Sequence, residues 1–140
     1  MLRTLARRDL SIAALREALR RAGLSEGEIE AELEAAARLG ALDERRSARA
    51  RARTLVIRGG WSQESMHARL VQEGYPTALA EEALAEVIQE EGWDPRRAAR
   101  RAILRGEPRS RSARRLLSRG FAPSLVRDLL PGVEGMDEGG

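Results

Sequence analysis

LREALRRAGLSEGEIEAEL, residues 15–33, has two counterparts later in the chain: MHARLVQEGYPTALAEEAL at residues 66–84 and SARRLLSRGFAPSLVRDLL at residues 112–130. The three stretches align on Gly23, Gly74 and Gly120, which are 51 and 46 residues apart. The aligned apolar columns are Leu19, Leu70 and Leu116 four residues before the glycine, Leu24, Tyr75 and Phe121 directly after it, Ile29, Ala80 and Val126 six after it, and Leu33, Leu84 and Leu130 ten after it. One structural unit recurring at a nearly fixed period predicts a repeat protein.

The composition predicts an all-α fold. Alanine, leucine, glutamate and arginine, all strong helix formers, make up most of the chain, and no stretch alternates apolar and polar residues as a half-buried strand would. The glycine at the centre of each stretch is expected to end a helix in the left-handed backbone conformation, which glycine adopts without strain. Each unit therefore reads as two helices, a glycine turn and a third helix.

The predicted boundaries give three tandem three-helix repeats and a tail. The repeats cover residues 1–42, 43–92 and 93–132, and residues 133–140 form a flexible acidic tail. A unit of about 40–50 residues buries too little apolar surface to be stable alone. Stacking the units buries the remaining apolar stripes, so we expect an elongated, curved helical array.

Helix starts and apolar faces can be assigned locally. Predicted N-caps are Ser11, Ser25 in a capping box with Glu28, Asp43, Ser62, Thr77, and Asp94 followed by Pro95 at the first helical position. A short helix is expected from Leu2 to Arg8. Predicted apolar faces include Ile12, Leu15, Leu19 and Ala22, then Ile29, Leu33, Ala36 and Ala37, and in the third repeat Ala98, Ala99, Ala102 and Ile103.

The sequence favours a cytoplasmic protein without disulfides. Cysteine is absent, which excludes a disulfide framework and cysteine-based metal sites. The N-terminal residues have no apolar core like that of a signal peptide, and no apolar run approaches the roughly 20 residues needed to cross a bilayer.

Charge alternates along the chain in blocks. Residues 22–44 and 61–93 each carry −6, whereas residues 45–60 carry +6 and residues 94–127 carry +9. Two interpretations stay open. The basic segments could attract an acidic partner, or the acidic helices could pair with basic neighbours within the protein.

No constellation for catalysis is visible. His67 is the single histidine, the chain has no thiol, and the glutamates are distributed over helices that also carry apolar stripes. The phosphate-binding pattern GxxxxGK[ST] is missing, and lysine is absent because all 25 basic residues are arginine. We therefore expect no enzyme activity, no cofactor and no metal.

Rows of arginine are the candidate binding residues. Like charges four residues apart on a helix repel, and a partner that supplies negative charge offsets this repulsion. Arginine also forms bidentate contacts to carboxylates and phosphates. The predicted partner or DNA-binding residues are Arg45, Arg49, Arg53, Arg58, Arg97, Arg101, Arg114 and Arg115.

Nucleic acid is one possible partner class for these rows. Phosphate contacts would make binding depend strongly on salt. Aromatic platforms for stacking bases are nearly missing, with two tryptophans, one tyrosine and one phenylalanine in the chain, and no recognition-helix motif is legible. Sequence-specific readout of DNA is therefore not expected.

Three parts of the chain resemble the RecX family, the bacterial regulators of the RecA recombinase. The opening LARRDLSIAALREALRRAGLSEGEIEAEL, residues 5–33, is similar to the family's first repeat. The segment LGALDERRSARARARTLVIRGG, residues 39–60, is similar to the family's Leu-Asp-acidic-Arg lead into a basic helix. The ending RRLLSRGFAPSLVRDLL, residues 114–130, is similar to the family's closing Arg-Gly-Phe and last short helix. The chain departs from the family at Ser47 and Arg51, where aromatic residues are usual.

The resemblance implies a non-enzymatic regulator. Proteins of this family bind RecA filaments on single-stranded DNA, lie in the filament groove, and limit filament extension, strand exchange and co-protease activity. The implied partners are the recombinase filament and single-stranded DNA through phosphate contacts, with the protein itself a monomer. The alternative that stays open is a general helical nucleic-acid-binding or scaffolding protein.

Overall fold

A computed structural model describes residues 10–40 and 42–133. In these residues the chain forms eight α-helices and no strand, which confirms the all-α prediction. The helices are α1 (Ile12–Arg21), α2 (Glu26–Arg38), α3 (Glu44–Arg58), α4 (Gln63–Gln72), α5 (Thr77–Glu91), α6 (Pro95–Arg101), α7 (Arg109–Ser118) and α8 (Pro123–Leu129). Within the described part of the chain, no helix has both the length and the apolar character needed to cross a membrane.

Some predictions fall outside these ranges. The expected helix from Leu2 to Arg8 and residues 134–140 of the expected tail lie outside the described residues. We call the described residues of 1–42, 43–92 and 93–132 the first, second and third segments.

The three aligned glycines form three copies of one turn. Gly23, Gly74 and Gly120 have φ angles of 97°, 103° and 90°, in the left-handed region where a Cβ would be strained. In each copy the residue after the glycine donates its backbone N–H to the carbonyl four residues before the glycine, and the glycine N–H bonds the carbonyl three residues before it. This is the Schellman ending of a helix. The long-reaching bonds are Leu24 to Leu19, Tyr75 to Leu70 and Phe121 to Leu116, at 3.2, 3.2 and 3.1 Å.

The aligned columns are explained by this turn. In a Schellman ending, the residues four before and one after the glycine commonly make an apolar contact, and these are the first two columns. The other two columns lie in the helix that follows, except Leu130, which is the C-cap of α8. All twelve positions are buried except Leu24, which is half-buried.

The buried side chains form three clusters that follow one another along the chain. The first contains Leu15, Leu19, Ile29 and Leu33; the second runs from Ala48 to Val87; and the third runs from Ala98 to Leu130. Trp93 packs against both the second and the third cluster. Its ring therefore lies at the boundary between these two cores.

Two similar junctions join the segments through the glycine turns. The Oγ of Ser11, at the start of α1, donates to the Glu73 carbonyl at 2.7 Å, directly before Gly74. At the start of α4, the backbone N–H of Ser62 and the Oγ of Ser65 donate to the Arg119 carbonyl at 3.1 and 2.8 Å, directly before Gly120. Residues at the start of a helix in one segment thus donate hydrogen bonds to a carbonyl at the end of a helix in the next segment, where the helix itself supplies no donor.

The first segment is also tied to α3. Ile12 donates its backbone N–H to the carboxylate of Glu44 at 2.7 Å. The buried Oγ of Ser47 donates to the Leu10 carbonyl at 3.1 Å and lies 2.6 Å from the Tyr75 hydroxyl. Ser47 therefore ties α3 to the first segment and to Tyr75 through its hydroxyl.

Most predicted caps are confirmed. Ser11, Ser25, Asp43, Ser62 and Asp94 each accept a backbone N–H with the side chain, and Ser25 forms the capping box with Glu28. Thr77 is wrong as a cap, because α5 begins at Thr77 itself after Pro76, whose side chain offers no acceptor.

Three predicted apolar positions also differ. Ala22 and Ala37 are exposed, Ala22 as the C-cap beyond the last turn of α1 and Ala37 as the second-last residue of α2. Ile103 lies beyond the end of α6 and is half-buried. Ala102 follows α6 as its C-cap and is buried as expected.

Candidate partner-binding surface

The arginine row on α3 faces an acidic row on α5. Arg45, Arg49 and Arg53 recur every four residues and share one side of α3. The ion pairs are Arg45–Glu86, Arg49–Glu86, Arg49–Glu90, Arg53–Glu90 and Arg53–Glu91, of which Arg49–Glu86, Arg53–Glu90 and Arg53–Glu91 measure 3.1, 2.7 and 3.3 Å. The internal neutralisation left open by the charge pattern is therefore present in this pair of helices.

Pairing with arginine favours the charged form of Glu90. The hydrogen bond from Arg49 lowers the pKa of Glu90, and Arg53 lowers it further. Desolvation acts in the opposite direction but is outweighed, so the pKa stays below its usual value. These pairs are partly solvated, and such pairs contribute little to stability individually. Arg45 keeps 58% of its side chain exposed. That this row also contacts a partner stays a prediction.

Arg115 is bonded within the protein and is not a free surface arginine. Its guanidinium forms an ion pair with Glu107, whose side chain is only 8% exposed, and donates to the Ala102 carbonyl at 2.9 Å. Bonds from Arg115, and then from Ser112, lower the pKa of Glu107 to about 2. Arg115 therefore fastens the loop between α6 and α7 to α7.

Other arginines have no such partner. Among residues 10–40 and 42–133, the side chains of Arg58, Arg97 and Arg114 are exposed and make no hydrogen bond or ion pair. The same holds in the third segment for Arg100, Arg105 and Arg111. Arg97 and Arg100 on α6, and Arg111 and Arg114 on α7, are each three residues apart and so lie close together on one side of their helix.

The acids of the third segment are too few to neutralise these arginines. Between residues 94 and 127, two carboxylates stand beside eleven arginines. Asp94 caps α6, and Glu107 is paired with Arg115. Asp128, just beyond, pairs with Arg96 at 3.2 Å. The third segment therefore presents a net positive surface.

The turn between α3 and α4 brings further arginines together. Gly59 and Gly60 have φ angles of 72° and 81°, in the left-handed region that favours glycine, and an arginine side chain of the third segment lies against each of them. Arg101 lies against Gly59, with a long 3.4 Å contact from its guanidinium to the Ile57 carbonyl. Arg119 lies against Gly60 and donates to its carbonyl at 3.3 Å. The turn therefore contacts the third segment through two arginine side chains.

Trp61 follows these glycines and is 43% exposed. The Arg119 guanidinium stands 5.0 Å from its ring centroid, within cation–π distance. A cavity of about 430 Å³ opens beside Trp61, between α3 and α4. A second cavity, of about 280 Å³, lies across the turn and is lined by Trp93, Arg97 and Arg101.

Sequence reasoning missed both Trp61 and Arg119. Their contact joins residues 58 positions apart, so no local spacing announces it. The signal that was present is the Gly-Gly-Trp order after an arginine-rich helix, because two glycines before a large side chain indicate a close approach of the backbone to another element.

His67 has an ordinary helix environment. Its Nε2 lies 3.1 Å from the Thr77 carbonyl, at the start of α5. No group of three or more potential metal ligands occurs among the residues that the structure describes.

Neither a family model, nor a curated protein, nor a solved structure matches the chain.

Proposed function

We propose that this protein is a non-enzymatic regulator of the RecA recombinase that binds filaments on single-stranded DNA and limits their extension. The resemblance of residues 5–33, 39–60 and 114–130 to the RecX family suggests the partner. The observation that carries a binding role is the surplus of unpaired arginine in the third segment. A surface of this kind attracts acidic protein surface or phosphate.

The proposal includes the arrangement of the chain as three tandem three-helix repeats in an elongated, curved array. Three equivalent Schellman turns, two similar serine junctions and three successive apolar clusters support it. An array offers a long surface that can bridge successive subunits of a filament. A regulator that bridges subunits needs no catalytic group of its own.

The proposed contact surface is weighted toward the third segment. Arg45, Arg49 and Arg53 are engaged by α5, so a partner would have to displace those carboxylates. Arg97 and Arg114 require no such exchange. We therefore assign the main contact to the unpaired arginines of α6 and α7, with Arg58 as a further contributor.

Filament function is tested by the recombinase's DNA-dependent ATPase activity and strand exchange, with and without this protein. The proposal expects both to fall at protein concentrations well below saturation of the DNA. Unchanged recombinase activities would contradict the proposal, provided that circular dichroism shows the protein to be folded under the same conditions.

The alternative function is general nucleic-acid binding or scaffolding, which the same unpaired arginines favour. A salt titration on bare single-stranded DNA and on recombinase-coated DNA separates the two functions. Preference for coated DNA supports the regulator. Equal or tighter binding to bare DNA, with a steep salt dependence, supports the alternative.

A further inference from the structure

The side chain of Trp61 is held in place although much of it is exposed. Arg119 stacks on the indole and is itself anchored by its bond to the Gly60 carbonyl. The Arg119 backbone carbonyl in turn accepts bonds from Ser62 and Ser65. An exposed tryptophan with this support is a rigid aromatic surface, which binds a flat ligand without first losing side-chain freedom.

The cavity beside Trp61 combines apolar and cationic walls. Its apolar lining comes from Leu55 and Met66, and its cationic lining comes from Arg51, Arg58 and Arg69. No carboxylate is among the residues that line it. The space therefore suits a ligand with a flat apolar part and a negative charge at its edge.

The arginines around the cavity differ in their freedom. Glu73 accepts both a bidentate pair from Arg51, at 2.8 and 2.9 Å, and a bond from Arg69 at 3.0 Å. These bonds, with that of Arg51 the strongest, lower the pKa of Glu73, so the carboxylate stays charged and holds both guanidinium groups in position. Arg58 has no partner among the described residues and is free to follow a ligand.

We propose that this cavity binds single-stranded nucleic acid, with a base stacked on Trp61 and the adjoining phosphate held by Arg58, whose guanidinium has no partner among the described residues. Aromatic stacking combined with a cationic backbone contact is how proteins bind single strands without reading sequence. Duplex DNA keeps its bases stacked on each other and cannot supply the flat face. A peptide of aspartate and glutamate matches the charge but supplies no planar ring to stack on the indole.

This site goes beyond the proposed function, because it requires no recombinase. Binding of bare single strands at Trp61 can fail while filament regulation through the third segment succeeds, and the reverse also holds. Arg58 belongs to both proposed surfaces, so the two proposals are separated by Trp61, which only this site uses, and by Arg97 and Arg114, which only the filament surface uses.

The test uses indole fluorescence in a Trp93→Phe background, which leaves Trp61 as the single tryptophan. The Nε1 of Trp93 is buried without a hydrogen-bond partner, so this substitution removes no bond. The probes are an oligo(dT) strand of about 16 nucleotides and an abasic strand of the same length. The proposal expects oligo(dT) to quench the emission at low micromolar concentrations, and the abasic strand to quench it little.

Matched variants in the full chain sharpen the test, with affinity measured by anisotropy of labelled oligo(dT). Trp61→Ala should weaken binding by at least about fivefold, the loss of one stacked base, and Trp61→Phe should retain part of the affinity. Leu104→Ala, at another exposed apolar side chain outside the cavity, should change nothing. Arg58→Gln should weaken binding more than Arg38→Gln. Arg38 serves as the control because it is an exposed arginine of the first segment that does not line the cavity.

Four outcomes would overturn the proposal. One is equal affinity for oligo(dT) and the abasic strand, and another is unchanged affinity in both Trp61 variants. Equal losses from Arg58→Gln and Arg38→Gln would show a diffuse charge effect. Quenching by poly-glutamate but not by oligo(dT) would assign the cavity to an acidic protein instead.

Discussion

The second and third segments are both rich in arginine, but they use it differently. In the second segment, Arg45, Arg49 and Arg53 on α3 form ion pairs with the glutamates of α5, so their charge is neutralised within the protein. In the third, two carboxylates between residues 94 and 127 cannot neutralise eleven arginines. Arginine on a helix surface is paired within the protein in one segment and left without a partner in the other, because acidic residues face it in the first case and are scarce in the second.

The largest expected effect tests whether the two segments share their core design. Leu70 and Leu116 occupy the same position before their glycine turns, and both are fully buried. Leu70→Ala and Leu116→Ala should each lower the free energy of unfolding by about 2–5 kcal/mol, through lost burial and a residual cavity. Chemical denaturation followed by circular dichroism measures this. A loss below 1 kcal/mol at one site only would show that the two cores are built differently.

Alanine substitutions at the three turn glycines test the junctions, with the first segment as the control. A Cβ at Gly23 would meet no atom within 4 Å, whereas one at Gly74 would lie 2.5 Å from the Ser11 Oγ, and one at Gly120 would collide with Ser62 and Ser65. Gly23→Ala should cost about 1–2 kcal/mol for its left-handed backbone.

Gly74→Ala and Gly120→Ala should cost more than Gly23→Ala, because each also displaces a serine from its carbonyl. Thermal unfolding ranks the three variants. Equal losses at all three positions would mean that the serine contacts do not hold the segments together.

The effect of salt on Tm should distinguish the paired arginines of the second segment from the unpaired arginines of the third. Arg49→Gln and Arg53→Gln together should lower Tm slightly at low ionic strength, because Glu90 loses its partners. The difference from the unaltered protein should shrink near 1 M salt, where charges are screened beyond about 3 Å. Arg97→Gln with Arg100→Gln should leave Tm unchanged or raise it, since no attraction is lost. A fall in Tm for this second pair would reveal an internal role.

Acid titration tests the ion pair between Arg115 and Glu107 in the third segment. The pKa of Glu107 lies near 2 when folded and near 4.5 when unfolded, so its contribution to stability is present above pH 4.5 and is lost as the pH falls toward 2. Glu107→Gln should therefore be less stable than the unaltered protein at pH 7 and nearly equal to it at pH 2. Stability curves that stay parallel over this range would contradict the assignment.

Local features of the fold could be predicted from the sequence. The glycine turns, five caps and the aligned buried columns each depend on residues within a few positions of one another. Thr77 failed as a cap because the choice between adjacent residues depends on the path of the chain through Pro76. Ala22 and Ala37 are exposed because an apolar spacing in the sequence does not show where a helix ends, and both residues lie at the end of their helix.

The candidate surface was less predictable, for a physical reason. Spacing placed Arg45, Arg49 and Arg53 on one side of a helix, but which acidic helix faces them is a tertiary fact. Arg115 looked like Arg114 in sequence, yet one is paired with Glu107 and the other is free among the described residues. The contact between Trp61 and Arg119 depends entirely on how two segments pack.

The most direct measurement compares the affinity of two triple variants for recombinase-coated single-stranded DNA. Replacing the unpaired Arg97, Arg100 and Arg114 by glutamine should weaken binding by at least about tenfold, because charged hydrogen bonds to the partner are lost. Replacing the paired Arg45, Arg49 and Arg53 should weaken it far less. A larger loss from the paired set, with both variants folded, would contradict the division of roles between the two segments.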